Sequence, residues 1–161
     1  MATQNFYTVR GYQLLDQHRK LLTPALEDYL EMIYRNSLEE EYIRVNKLAE
    51  LLNVRASSAS KMVQKLAVLK LVHYEKYGII MLSEDGKMMG AFLYQRHEII
   101  ESFLEFIGGK DILYQTELIE HNINNYTLKK IEILNQFFNE HDDIREKFLL
   151  YKKEKEVGTA E

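Results

Sequence analysis

Residues 56–83, ASSASKMVQKLAVLKLVHYEKYGIIMLS, decide the fold. In the first half, Met62, Val63, Leu66 and Leu69 recur at helical spacing and give a helix with one apolar face. Ser57, Ser58, Ser60, Lys61, Gln64 and Lys65 are left for the other face. At Leu71 the period changes. The run from Val72 to Leu82 is rich in β-branched and aromatic residues, with Gly78 near its middle, and predicts a two-stranded hairpin. A polar-faced helix leading directly into a hairpin is the closing part of a winged helix-turn-helix.

The segments upstream supply the rest of that motif. Thr23 is placed to cap a helix, with Pro24 at its first position and Glu27 and Asp28 in its first turn. Leu26, Tyr29, Leu30, Ile33 and Tyr34 follow at helical spacing, which predicts an amphipathic helix of about four turns. Val45, Leu48, Leu51 and Leu52 mark a short second helix. Downstream, Ser83 can cap a long helix that Gly108 and Gly109 end. Two further helical segments follow, then a charged tail from His141. The order is three helices, a hairpin and three helices, a mostly α protein. It divides into an N-terminal extension (1–21), a winged helix-turn-helix DNA-binding domain (22–90) and a helical domain (91–161). His18 is expected in a flexible arm.

The chain has 161 residues, 46% of them hydrophobic and 29% charged, as in a globular protein. It has no cysteine, which excludes disulfides, thiolate zinc sites and a cysteine nucleophile. No apolar run is long enough to span a bilayer, and the N-terminus lacks a signal-peptide pattern, so a cytoplasmic protein without membrane partner is expected. The net charge of −4 is unevenly spread. Residues 1–90 carry 12 Lys and Arg against 11 Asp and Glu, whereas residues 91–161 carry 9 against 14. Within 55–76, Arg55, Lys61, Lys65, Lys70 and Lys76 face only Glu75. A basic stripe on an acidic protein points to double-stranded DNA. Gln64 suits adenine and Lys61 guanine, while Arg55, Lys65, Lys70 and Lys76 suit phosphates. The serines at the helix start leave backbone N–H groups for a further phosphate. Glu84 and Asp85, just after the hairpin, would repel DNA if turned toward it.

A second constellation is acidic. In ELIEH, residues 117–121, Glu117, Glu120 and His121 share one helical face. Asp28 and Glu31 repeat the three-residue spacing in the first amphipathic helix, and the long helix carries His97. Each fragment alone is more often the solvated face of an amphipathic helix. Together, four carboxylates and two imidazoles would balance two divalent cations, and such a donor set suits Mn²⁺ or Fe²⁺. A two-metal bundle oxidase would need Glu-x-x-His on two helices, and this sequence has none. The protein is therefore expected not to be an enzyme and to take no small organic substrate.

LEDYLEMIY, SSASKMVQKL, YEKYGIIMLS, YQRHEIIESFL and ELIEHNI resemble, in order and spacing, the manganese-responsive repressors of the diphtheria-toxin-repressor family. The resemblance runs from about Leu22 to Phe148. It implies a homodimeric, metal-activated repressor of manganese-uptake genes that binds a palindromic operator, with residues 91–161 as a helical metal-binding and dimerisation domain. It also implies two ions per subunit. One would be held by Asp28, Glu117, Glu120 and His121, the other by Glu31, His97, Glu117 and Glu120. In the iron-responsive branch, Met and Cys stand where this chain has Asp28 and Glu117, so the resemblance favours manganese over iron. The alternatives are an iron-responsive member and a winged-helix regulator indifferent to metal. Three departures stand out: Ala56 replaces a frequent proline, the hairpin lacks an arginine near Gly78, and residues 1–21 precede the usual start. The expected dimer interface uses Phe92, Ile99, Phe103, Phe106, Leu134, Phe137 and Phe138, some of which could be intradomain core.

Overall fold

The computed structural model describes residues 2–18 and 21–157. Among these are eight α-helices and three short strands, in the order α1 (Ala2–His18), α2 (Pro24–Ser37), β1 (Ile43–Arg44), α3 (Val45–Leu51), α4 (Ala56–Val68), β2 (Val72–Tyr74), β3 (Ile79–Leu82), α5 (Glu84–Ile107), α6 (Ile112–Glu120), α7 (Asn125–Glu140) and α8 (Asp142–Val157). The chain forms two compact units, Met1–His97 and Glu98–Glu161, so the division falls within α5.

The first unit is built around α2, α3 and α4. Thr23 caps α2 as its sequence predicts, accepting from the Leu26 N–H, with Pro24 at the first helical position. Leu30, Ile33, Leu48, Ala59, Val63, Leu66, Leu71 and Ile80 are almost completely buried, so the apolar faces of the three helices and the sheet share one core. Between α3 and α4, Asn53 adopts a left-handed backbone (φ 51°) while the Val54 N–H reaches back to the Ala49 carbonyl. Lys70 does the same after α4 (φ 61°), with the Leu71 N–H on the Leu66 carbonyl. This is the helix-ending geometry in which a left-handed residue lets the next N–H satisfy an orphan carbonyl.

The predicted hairpin is present, with β2 antiparallel to β3 and Val72 opposite Leu82. Its turn is a 3-10 segment, Lys76–Gly78, in which Tyr77 and Gly78 both have positive φ. The strand β1 was not legible in the sequence. It pairs Ile43 with Ile80 on the outer side of β3, giving the order β1-β3-β2. Ser83 starts α5: its hydroxyl accepts from the Gly86 N–H and donates toward the carbonyls of Lys70 and Leu71.

Residues 2–18 are not a flexible arm. They form α1, which packs on α5 within the first unit. Leu14 is buried, Tyr12 lies 5.6 Å from Phe92 ring to ring, and a side chain at Gly11 would meet the Phe92 Cβ and the Met88 carbonyl. Phe92, expected at the dimer interface, is therefore core of the first unit.

In the second unit α5 ends as predicted. Gly108 (φ 74°) donates to Glu105 and Gly109 to Leu104. The charged tail from His141 forms the helix α8. Its Phe148 stacks on Phe106 at 5.0 Å and lies 5.5 Å from Phe138, and Phe106 and Phe138 are 4.5 Å apart. These two expected interface rings therefore also contribute to an intradomain cluster. No described helix is long and apolar enough to cross a membrane.

Candidate functional site

On α4, Ala59, Val63 and Leu66 point into the core, which turns Ser57, Ser58, Lys61, Gln64 and Lys65 outward, all exposed. Arg55, the N-cap, is exposed beside them, as are Lys70 and Lys76. Ser60 is different. It is half-buried and its hydroxyl lies 2.9 Å from the Tyr74 hydroxyl, so it ties the helix to the hairpin. Helical geometry leaves the first N–H groups of α4 without intrahelical acceptors, beside two exposed serines. Met62 and Leu69 are only half-buried and Val68 is 81% exposed, so the apolar face is narrower than the spacing suggests.

The hairpin tip also carries a residue that sequence reasoning missed. Arg44, on β1, donates to the Tyr77 carbonyl at 3.3 Å, and Tyr77 is 89% exposed. Thus an arginine does stand by the tip, supplied by a strand 33 residues upstream rather than by the turn itself. Glu84 and Asp85 are exposed in the first turn of α5, where they favour the helix dipole, and Glu84 pairs with Lys87 at 3.0 Å.

The acidic constellation falls into two parts, one in each unit. In the first unit, Glu31 on α2 and His97 on α5 are both buried, with the carboxylate Oε1 4.0 Å from the imidazole Nδ1. Asp28, one turn before Glu31, is exposed. Arg35, one turn after Glu31, donates from Nε (2.9 Å) and Nη2 (2.5 Å) to the same Oε1. Next to the ligand candidates, Glu27 accepts from Arg96 at 2.7 Å in a nearly buried ion pair that locks α2 to α5. Burial raises the pKa of the Tyr29 phenol, and that of Tyr34 too, with a smaller contribution from Tyr94.

In the second unit, Glu120 ends α6 and is 2% exposed. His121 follows as the C-cap, its Nε2 3.7 Å from Glu120 Oε1. Glu117, on the preceding turn, is exposed. Thr116 is fully buried, and its hydroxyl has no hydrogen-bond partner among the described residues.

These donors fit a divalent ion. Two donor atoms each about 2.1 Å from one ion lie roughly 3–4 Å apart, and the Glu31–His97 separation of 4.0 Å is within that reach. Oxygen and imidazole donors without any thiolate suit a hard first-row cation.

Residues 21–80 match the iron dependent repressor N-terminal DNA binding domain, and residues 83–149 match the metal binding and dimerisation domain of the same proteins. The chain belongs to the iron-dependent repressor family. As a member, it is a metal-dependent DNA-binding transcriptional regulator. It is 43% identical over 131 residues to the HTH-type transcriptional regulator MntR of Bacillus subtilis (strain 168), covering 80% of this chain and 92% of that one. Among solved structures it is similar to the manganese regulator SloR (TM-score 0.61, 32% identity, 73% of this chain) and to the metal-dependent transcriptional regulator MtsR (TM-score 0.63, 29% identity, 71% of this chain). The matched part spans 54% and 55% of those two longer chains. Both matched regions begin after α1, so α1 lies outside them, whereas α5, on which it packs, lies within the second.

Proposed function

We propose that this protein is a manganese-activated repressor that binds palindromic operator DNA as a homodimer, with control of manganese uptake as its role. The observation that carries the reading is the buried Glu31–His97 pair, which places a carboxylate and an imidazole 4.0 Å apart inside the DNA-binding unit. At that separation one oxygen and one ring nitrogen can share a single divalent ion, and this donor pair suits a hard first-row cation. Asp28, Glu31 and His97 form one half of the donor set, and Glu117, Glu120 and His121 the other. One ion is assigned to Asp28, Glu117, Glu120 and His121, and a second to Glu31, His97, Glu117 and Glu120. Bound there, Mn²⁺ supplies positive charge that relieves repulsion among the four carboxylates.

The chain's own residues then do the rest. Ligands from both units tie the winged helix to the dimerising helices and narrow the spacing of the two recognition helices. A palindromic site needs those helices about 34 Å apart, so a narrower range of spacings raises affinity. Lys61 and Gln64 reach base edges, while Arg55, Ser57, Ser58, Lys65 and Lys76 hold phosphates. Ser60 is assigned here to positioning the hairpin, because its hydroxyl is engaged with Tyr74. Oxygen donors at Asp28 and Glu117 favour manganese over iron, in line with the manganese regulator among the structural relatives. Metal and DNA are reciprocally coupled, so operator must tighten metal binding by the factor by which metal tightens operator binding.

Fluorescence anisotropy with a labelled operator tests this directly. Full-length protein should bind at least tenfold more tightly with Mn²⁺ than in chelator, and His97→Ala should lose most of that gain while keeping a native circular dichroism spectrum. Equal affinity in the two conditions overturns metal activation. Stronger activation by Fe²⁺ than by Mn²⁺ replaces manganese with iron.

A further inference from the structure

We propose that Arg35 sets the metal threshold of this regulator by competing, as a built-in cation, for the Glu31 carboxylate. The inference rests on the reading of Glu31 and His97 as metal ligands. Both Arg35 donors converge on one oxygen, Glu31 Oε1, at 2.9 and 2.5 Å. That same oxygen faces His97 Nδ1 at 4.0 Å. The atom best placed to share an ion with His97 is therefore already engaged by a guanidinium.

The arrangement is held from several directions. Arg35 follows Glu31 by four residues on α2, a spacing that brings the two side chains together along the helix. The guanidinium also lies over the Tyr94 ring of α5, 5.1 Å from its centroid. Glu31 is 9% exposed at its side chain and Arg35 35%, so the carboxylate is inside and its partner reaches in from the surface. A guanidinium keeps its charge at any physiological pH. It therefore compensates Glu31 permanently rather than conditionally.

Two consequences follow, with opposite signs. Without metal, Arg35 supplies the counter-charge that a buried carboxylate needs. During metal uptake, the same charge either repels the incoming cation or must leave Oε1. A donor that merely oriented Glu31 for the ion would strengthen binding, as outer-shell partners of ligating carboxylates do. Competition weakens it. A fixed positive charge within several ångströms of a divalent ion, partly screened by water, lowers affinity by roughly tenfold.

The test is calorimetric titration of Mn²⁺ into metal-stripped, full-length protein, together with thermal unfolding of the metal-free form. Arg35→Met should bind Mn²⁺ roughly tenfold more tightly while its metal-free form unfolds at a lower temperature. Arg35→Lys, which keeps the charge, should remain close to the parent protein in affinity. Arg35→Gln, which keeps a donor and loses the charge, should also tighten binding, and it takes the place of Arg35→Met if that variant fails to fold. Unchanged or weaker binding by the uncharged variants overturns the proposal. His97→Ala separates the two levels. If it binds Mn²⁺ as the parent does, the site assignment itself fails and the role of Arg35 with it. If it weakens binding while the uncharged variants do not tighten it, only the role of Arg35 fails.

Discussion

In the first unit, Leu30, Ile33, Leu48, Leu66, Leu71 and Ile80 are all 2% exposed or less, drawn from three helices and the sheet beside them. In the second, α7 buries only Leu128 and α8 buries no residue, while Ile133, Leu134, Phe137, Leu149, Leu150 and Tyr151 are each at least 40% exposed. One unit closes its core within a single chain. The other has an internal aromatic cluster, Phe106, Phe138 and Phe148, and beyond it apolar surface awaiting cover. That is the surface expected of a dimerisation domain, whose interface resembles a core divided between two chains. A DNA-reading module gains from rigidity, whereas an assembly module must keep its apolar face available.

Substitutions can sharpen or break this contrast. The largest effect is expected at Leu66, fully buried between α4 and its neighbours. Leu66→Ala should lose about 3 kcal/mol, read by urea denaturation of the metal-free protein. A loss under about 1 kcal/mol would mean that the first core is looser than its burial indicates. A smaller effect is expected at Tyr74, whose hydroxyl meets Ser60 at 2.9 Å. Tyr74→Phe should cost about 1 kcal/mol and weaken operator binding through a less firmly held hairpin, with the metal dependence unchanged. The smallest effect on folding belongs to the second unit. Leu150, 64% exposed, should tolerate serine within about 0.5 kcal/mol. Sedimentation should nevertheless show Leu150→Ser dissociating at a higher protein concentration than its parent. An unaltered dimer would move self-association to another face.

The same contrast explains what could be read from the sequence. In the first unit α2, α3 and α4 were legible because their apolar residues recur at helical spacing, with a recognisable start for α2 at Thr23–Pro24, and because the period changes sharply at Leu71. The end of α5 was legible from Gly108–Gly109. By contrast α8 places Phe148, Leu149, Leu150 and Tyr151 consecutively among charges, so no 3.6-residue period emerges. In α1 the packing depends on Gly11, Tyr12 and Leu14, too sparse a set to mark a face. Strand β1 has two residues, below the length at which alternation can be seen.

The proposed metal ligands were legible chiefly by family resemblance, since ExxE spacings are common on solvated faces. Their surroundings divide by sequence distance. Arg35 sits four residues from Glu31 and carried a local signal. Arg96 and Glu27 lie 69 residues apart, and only the folded chain brings them together. Arg44 reached the hairpin tip by the same kind of long-range pairing.

Asn53 and Lys70 bracket α4 with two left-handed residues, one before it and one after it. For sequence drift this means the recognition helix can change its letters more freely than its length. Its outward positions can be exchanged to follow a changing operator. The bracketing positions admit glycine or asparagine readily, but a β-branched residue at either would strain the backbone that ends each helix. A lineage that altered its DNA target would thus be expected to keep the span from 53 to 70 fixed while rewriting what lies between.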